Sequence, residues 1–152
     1  MLRCFRVSSK MKIISPQSKQ DFEKYFQLRW EMLRKPWGEP KGSEQDEDED
    51  NSFHVMVTDG DRVVGVARLQ DTAPGQAQLR YMAVADDYQG KGIGRMIMQR
   101  IEQHAIDNGI AEIFLHARQN AVAFYQALGY TQVEKSYLLF NCIQHYKMVK
   151  KL

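Results

Sequence analysis

A glycine-rich stretch at residues 89–95, Q-G-K-G-I-G-R, constrains the fold of this chain more than any other feature. It follows a β-rich run, Gln76–Val84, and precedes apolar residues spaced four apart, which predict a helix. Three glycines in five positions remove the Cβ atoms that would keep a ligand away from the backbone. The N–H groups of such a turn can converge on an anion, and the helix N-terminus adds partial positive charge. Lys91 and Arg95 add full charges, so the sequence predicts a strand–turn–helix unit that binds a diphosphate.

Two other glycine motifs that bind phosphates do not match this stretch. A P-loop needs four residues between its first glycine and a Gly-Lys pair that precedes Ser or Thr, and Lys91 is followed by Gly92. A dinucleotide fingerprint needs a further glycine three residues after the pair, and Ile97 occupies that position after Gly92 and Gly94. A glycine-rich helix entry without a ligand is the structural alternative that remains.

The order of predicted elements indicates one α+β domain. The 152 residues suit a single domain, which we expect to be residues 11–152, since residues 1–10 are interpreted as a disordered extension or the product of an upstream start. Strands followed by alternating helices and strands predict a mixed sheet. The predicted strands are Met11–Ser15, Phe53–Thr58, Val63–Leu69, Gln76–Val84, Glu112–His116, Thr131–Phe140 and His145–Val149, and the predicted helices are Ser18–Leu33, a helix from Ile93 to the Asn108-Gly109 pair, and Asn120–Leu128.

Charge and cysteine content limit the classes of partner. The net charge of +2 gives no reason to expect a nucleic acid or an anionic membrane as partner. No apolar stretch approaches the roughly 20 residues that a membrane helix requires. Cys4 and Cys142 are too few for a disulfide framework and lack metal-ligand spacing. We therefore expect a cytoplasmic protein without a metal site.

The motif Gln89-x-x-Gly92-x-Gly94, after a strand that ends Y-M-A-V, resembles the cofactor signature of the Gcn5-related N-acetyltransferase (GNAT) superfamily. Residues 120–130, N-A-V-A-F-Y-Q-A-L-G-Y, resemble the second signature of that family, and the order of elements matches over nearly the whole chain. The resemblance implies a GNAT-like acyl-CoA N-acyltransferase fold, with a mixed, mostly antiparallel sheet flanked by helices.

The resemblance also assigns residues to the coenzyme. The strand before the glycine turn splays from its neighbour in this family, which implies that the main chain of Met82, Ala83 and Val84 pairs with the pantetheine arm. The Val84 N–H would then face the thioester carbonyl, where an oxyanion develops during acyl transfer. The pyrophosphate would be held by the turn itself, through Gln89, Gly90, Lys91, Gly92, Ile93, Gly94 and Arg95.

Two residues of the second signature have two interpretations each. Asn120 either caps the helix that starts there or, as the family pattern implies, reaches the coenzyme with its side chain. Tyr125 either donates a proton to the departing coenzyme A thiolate, as the family pattern implies, or fills a helix face beside Phe124. Gly129 and Tyr130 are interpreted as structural, as a C-cap and a strand entry.

The sequence does not identify the general base that would deprotonate the amine. His54, His116, His145, an acid of residues 44–50 and an ordered water are all candidates. The acidic run itself, E-Q-D-E-D-E-D, is either a solvated, flexible loop or a surface that recruits a cationic amine. Trp37, in a Pro-Gly loop, is a candidate for the acceptor pocket.

The resemblance implies an N-acetyltransferase that moves the acetyl group of acetyl-CoA, as co-substrate, to an amine by direct attack in a ternary complex. The alternative, from another class, is a non-catalytic acyl-CoA-binding sensor or assembly module, which would not need the Tyr125 hydroxyl. The acceptor is expected to be a small-molecule or peptide amine, and a homodimer is one arrangement that such proteins adopt.

Overall fold

The computed structural model describes residues 10–152, and within them the chain forms seven strands and three α-helices. The interpretation of residues 1–10 therefore falls, apart from Lys10, outside the described residues. Among those that are described, no helix is long and apolar enough to span a membrane. The elements are β1 (Met11–Ile14), α1 (Lys19–Leu33), β2 (Phe53–Asp59), β3 (Arg62–Ala73), β4 (Gln76–Val84), α2 (Ile93–Asp107), β5 (Glu112–Arg118), α3 (Val122–Ala127), β6 (Thr131–Leu139) and β7 (Ile143–Lys151), with short 3-10 turns at Lys35–Trp37, Glu49–Asn51, Asp86–Tyr88 and Gln119–Ala121.

The strands form one mixed sheet in the order β1-β2-β3-β4-β5-β7-β6. The β4–β5 pair is parallel, because α2 connects the two strands as a crossover, whereas β1–β2, β5–β7 and β6–β7 are antiparallel. The predicted α+β class with a mixed, mostly antiparallel sheet is confirmed.

The contacts divide the described residues into two compact units, of which the first contains residues 10–68 together with Tyr81–Arg100. The core of this unit is formed by apolar side chains of β2, β3 and α2, among them Val57, Ile93 and Ile97. Gly65 of β3 lies beneath α2, since a Cβ at this position would be 2.9 Å from Ile97 Cδ1 and 3.0 Å from Ile93 Cγ2. The absence of a side chain at Gly65 thus lets the first turns of α2 pack closely on the sheet.

The second unit contains Leu69–Arg80 and Ile101–Leu152. Its central strand β5 alternates buried and half-buried positions, as a strand with one face in a core does. Ile113, Leu115 and Ala117 form the buried set. An ion pair between Lys150 of β7 and Glu102 of α2 lies beside this core.

The ends of the helices show where the sequence pattern was sufficient and where it was not. Ser18 caps α1 as predicted: its Oγ accepts a hydrogen bond from Asp21 N at 3.0 Å, and the Asp21 carboxylate accepts one from Ser18 N. Of the two interpretations of Asn120, the one that makes it the cap of the third helix is wrong. That helix begins at Val122, its N-cap is Ala121, and Asn120 lies in the preceding 3-10 turn.

Candidate functional site

The glycine turn adopts the backbone that a ligand cradle needs. Gly90 and Gly92 have φ values of +75° and +82°, in the left-handed region that residues with a Cβ rarely adopt. A Cβ at either position would meet nothing within 4 Å, so the backbone conformation, and not close packing, requires glycine here. Met96 N donates to Gly92 O at 3.1 Å, which makes Ile93 the first residue of α2 and leaves the first-turn N–H groups without intrahelical acceptors.

Polar side-chain contacts connect this turn to the neighbouring strands. Arg62 makes a bidentate ion pair with Asp87, with distances of 2.7 and 2.8 Å, and the Tyr88 hydroxyl donates to the Asp59 carboxylate. Gln89 Nε2 donates to Val84 O at 3.1 Å, so the Gln89 side chain ties the turn to the end of β4. Lys91 is exposed, with its ammonium 4.8 Å from the Tyr88 ring centroid. The turn is therefore held in place by side-chain contacts with β2, β3 and the end of β4.

The β4 end (Met82–Val84) has an irregular backbone just before it. The described pairs between β4 and β5 run from Gln76–Glu112 to Gln78–Phe114, although β4 continues to Val84. Tyr81 then has a φ of +55°, a left-handed value that is rare for a residue with a large side chain. The described parallel pairs thus end three residues before the distorted Tyr81. Sequence reasoning assigned no role to Tyr81.

Tyr125 lies in α3 and is buried. Its ring packs edge to face against Phe124 and Tyr130, with centroid distances of 5.0 and 5.8 Å. Burial raises the pKa of the Tyr125 hydroxyl above its ordinary value, so the group keeps its proton throughout the neutral range. Asn120, which precedes this helix, is exposed and leaves its side chain available to a ligand.

The structure thus joins some of the predicted site residues directly. The glycine turn and the β4 end lie in the same unit and are linked by the bond between Gln89 and Val84. Asn120 and Tyr125 lie on consecutive short helices of the other unit.

His54 is a structural residue. Its Nε2 donates to Glu49 O at 2.7 Å, and its Nδ1 lies 2.8 Å from the Tyr25 hydroxyl. Because a carbonyl only accepts, Nε2 carries the proton and Nδ1 is the acceptor. Burial lowers the pKa of His54, which keeps the ring neutral. Both ring nitrogens are in use, so His54 does not fit the role of general base.

The other two candidate histidines are neighbours of one tyrosine. His145 is buried, its Nδ1 donates to Ile143 O at 3.0 Å, and its ring stacks on Tyr137 at 4.4 Å. His116 contacts the same Tyr137 ring at 5.3 Å. Burial, followed by the charges of Lys147 and Arg80, lowers the pKa of His116. His116 is therefore neutral at pH 7 and stays a candidate base.

The interpretation of residues 44–50 as a solvated loop is wrong for Asp46 and Glu49, although Glu47 and Asp50 are exposed. Arg29 and Arg68 are both 0% exposed, and their counter-charges come from this segment. Arg68 makes a bidentate pair with Asp46, at 2.6 and 2.9 Å, and Glu49 Oε2 lies 2.8 Å from Arg29 Nη1 and 3.0 Å from Arg68 Nη1. A buried charge without a partner is costly, so the two arginines draw these acids inward.

The other interpretation of the same run, recruitment of a cationic amine, is not supported for Asp46 and Glu49, because each carboxylate is already paired with an arginine. The signal in the sequence was Arg29, which stands on the apolar face of α1 at helical spacing with Tyr25 and Phe26. Trp37 stays exposed, at 40% of its surface, and its place in an acceptor pocket stays a prediction.

Known proteins identify the family. The acetyltransferase (GNAT) domain family matches residues 17–152. The uncharacterized N-acetyltransferase YjcF of Bacillus subtilis is 31% identical over 140 residues, which cover 92% of this chain and 99% of that protein. The chain therefore belongs to the GNAT acetyltransferase family, as the resemblance implied.

Solved structures share the fold. A Bacillus subtilis acetyltransferase in complex with CoA has a TM-score of 0.76 at 18% identity, over 94% of this chain and 99% of that one. A GNAT family acetyltransferase from Elizabethkingia anophelis with acetyl-CoA bound has a TM-score of 0.78 at 13% identity, over 95% and 99% of the two chains. The GNAT-like fold expected from the sequence is confirmed.

Proposed function

We propose that this protein transfers the acetyl group of acetyl-CoA to an amine by direct attack in a ternary complex. The observation that carries the proposal is the glycine turn, with two left-handed glycines at the start of α2 and a hydrogen bond to the β4 end. Such a turn suits a pyrophosphate. Membership of the GNAT family supports the choice of coenzyme, as do the CoA and acetyl-CoA bound to the two structural relatives.

In this proposal each part of the coenzyme has its own contact. The pyrophosphate lies against the N–H groups of residues 90–95, with Lys91 and Arg95 as counter-charges. The pantetheine arm pairs with the main chain of Met82, Ala83 and Val84. Asn120 reaches the coenzyme with its exposed side-chain amide. No metal ion takes part in the proposed reaction.

The chemical step conserves atoms and charge. The lone pair of a neutral amine attacks the thioester carbonyl carbon, and the carbonyl oxygen gains negative charge opposite the Val84 N–H. The C–S bond then breaks and its electron pair leaves on sulfur. Tyr125 gives its proton to that sulfur, and the amine nitrogen loses its extra proton to water as the amide forms. Water then returns a proton to the Tyr125 phenolate, so the net proton count is unchanged. The products are an N-acetylated amine and coenzyme A. Neither cysteine is needed as a nucleophile, since direct transfer requires no acyl-enzyme.

Isothermal titration with acetyl-CoA, beside adenosine diphosphate as a control, tests the proposal. We expect micromolar binding of acetyl-CoA that is much tighter than binding of the control, because only the coenzyme contacts the β4 end. A screen of amines with this donor then identifies the acceptor class. Undetectable binding of acetyl-CoA would contradict the proposal. Binding without turnover of any amine would favour the alternative, a non-catalytic sensor or assembly module.

A further inference from the structure

Tyr81 is held in an unfavourable backbone conformation at the residue that precedes the β4 end. Its φ of +55° places the Cβ close to the peptide, a geometry that persists only where the surroundings impose it. Left-handed residues of this kind cluster at ligand sites. The question is therefore which contacts impose the conformation of Tyr81.

The ring of Tyr81 is surrounded by cations. The guanidinium carbons of Arg29 and Arg68 lie 4.3 and 4.9 Å from its centroid, and that of Arg34 lies 5.7 Å away. All three distances are within the range of cation–π attraction. The Tyr81 hydroxyl also donates to Asp46 Oδ2 at 3.2 Å, so both the face and the tip of the side chain are fixed.

The arginines around this ring depend in turn on two acids. Arg29 and Arg68 are fully buried and cannot lose their protons. Asp46 and Glu49, which we call the acidic clamp, neutralise them. Asp46 is the link between the two systems, because its carboxylate accepts from both Arg68 and the Tyr81 hydroxyl.

We propose that the acidic clamp holds Tyr81 in its left-handed conformation and thereby positions the β4 end for the pantetheine arm. Asp46 and Tyr81 are positioning residues in this proposal, since neither contacts the coenzyme. The inference rests on the proposed function, which assigns Met82, Ala83 and Val84 to that arm. Coenzyme affinity should then depend on a carboxylate in a loop far away in sequence.

Asp46→Asn tests this dependence, with Asp50→Asn as the matched control. Asp50 belongs to the same acidic run but is exposed, so the control makes the same chemical change without touching the clamp. The two ligands are coenzyme A, which includes the arm, and adenosine diphosphate, which contacts only the glycine turn. By isothermal titration we expect Asp46→Asn to weaken coenzyme A binding at least fivefold while adenosine diphosphate binding stays within twofold. Asp50→Asn should leave both affinities within twofold.

The outcomes separate the two proposals. Wild-type affinity of Asp46→Asn for coenzyme A, or an equal loss for both ligands, would overturn the clamp. Failure of the wild-type protein to bind coenzyme A would instead overturn the proposed function. If Asp46→Asn does not fold, Tyr81→Phe, which removes only the hydroxyl, replaces it in the same pair of titrations with the same expected result.

A second pair of variants examines the backbone alone. Tyr81→Gly and Tyr81→Ala both remove the ring, but only glycine adopts a positive φ without strain. If the conformation of residue 81 positions the β4 end, we expect Tyr81→Gly to bind coenzyme A at least threefold more tightly than Tyr81→Ala. Equal affinities of the two variants would overturn the proposal.

Discussion

Tyr125 is buried against two aromatic rings, and this burial decides what its hydroxyl can do. The raised pKa keeps the group protonated throughout the neutral range, so it enters the reaction there as a donor. A hydroxyl in this state lowers the cost of forming the thiolate by donating to it, and it transfers its proton as the sulfur charge develops.

The Tyr125→Phe variant should therefore lower kcat at least tenfold and leave the Kd for acetyl-CoA within twofold, because the ring and its contacts stay. Steady-state kinetics and titration measure the two quantities. Tyr130→Phe is the matched control: its buried hydroxyl has no hydrogen-bond partner among the described residues, so its removal should not slow turnover. Equal losses of kcat and affinity in Tyr125→Phe would contradict the role as acid.

His54 makes the stability of the protein depend on pH. Its pKa in the folded protein is below the ordinary 6.5, so the unfolded chain takes up a proton more readily. Protonation then favours unfolding: the contribution of His54 is complete above about pH 6.5 and is lost as the pH falls through lower values. We expect the urea midpoint of the wild type to fall between pH 7.5 and 5.5, and that of His54→Gln to fall less. The two should run in parallel between pH 9 and 7.5; parallel curves in the acid range as well would show that His54 is not responsible.

Single residues also mark the limit of what the sequence could predict. The turn at Gly90 and Gly92 was predictable, because few residues tolerate such a backbone conformation. The strand and helix patterns on either side also indicate its position. The conformation of Tyr81 was not predictable, because it follows from contacts with Asp46 and Arg29, which lie 35 and more residues earlier in the chain.

At the scale of elements, the glycine turn and the start of α2 act as one unit. Gly92→Val places a branched side chain at a φ of +82°, which changes the turn, and we expect coenzyme binding to become undetectable by titration. Gly109→Val, at a φ of +74° at the other end of α2, introduces similar strain away from the site. We expect Gly109→Val to destabilise the protein by an amount similar to Gly92→Val and to keep its affinity for the coenzyme. Retained affinity in Gly92→Val would mean that the turn does not hold the pyrophosphate.

The packing of α2 on β3 gives a second prediction at this scale. Gly65→Val should destabilise the protein by about 1–3 kcal/mol, because its side chain would overlap Ile93 and Ile97. Urea denaturation measures the loss. Ile97→Val removes Cδ1, the nearest atom, so we expect Gly65→Ala combined with Ile97→Val to cost less than the sum of the two single changes. Strict additivity would show that residue 65 does not press on Ile97.

Element boundaries were predictable where a local signal exists. The Ser18–Asp21 pair indicates the start of α1, and the Asn108-Gly109 pair indicates the end of α2. The helix expected at Asn120 was set too early, because the sequence signals a helix start but does not separate a 3-10 turn from the α-helix that follows. The acidic run was misread for a similar reason: its charges look the same whether they face water or buried arginines.

For the whole molecule, ligand binding should appear as added stability. A ligand present at 100 times its Kd stabilises the folded state by about 2.7 kcal/mol. For a chain of this length that corresponds to a rise in Tm of roughly 5–10 °C. We expect coenzyme A to produce this shift in a thermal melt, equally in the wild type and in Tyr125→Phe. Adenosine diphosphate at the same concentration should produce less, and a shift as large as that of the coenzyme would assign all the affinity to the glycine turn.

The succession of elements along the chain and the class of the fold were predictable as a whole, because alternation, turn residues and two family signatures agree along the chain. The acids that pair with Arg29 and Arg68 were not predictable, because contacts in the packed interior produce no periodic pattern in the sequence.

The connection between α1 and β2 has a practical consequence for protein engineering. It is long, polar and rich in acids, so the sequence alone suggests it as an insertion site for an affinity tag, a fluorophore or a fused domain. Two of its carboxylates, those of Asp46 and Glu49, are however the counter-ions of two arginines inside the protein. The turn at Gly60-Asp61, which is exposed and joins β2 to β3, is the better place for such an insertion.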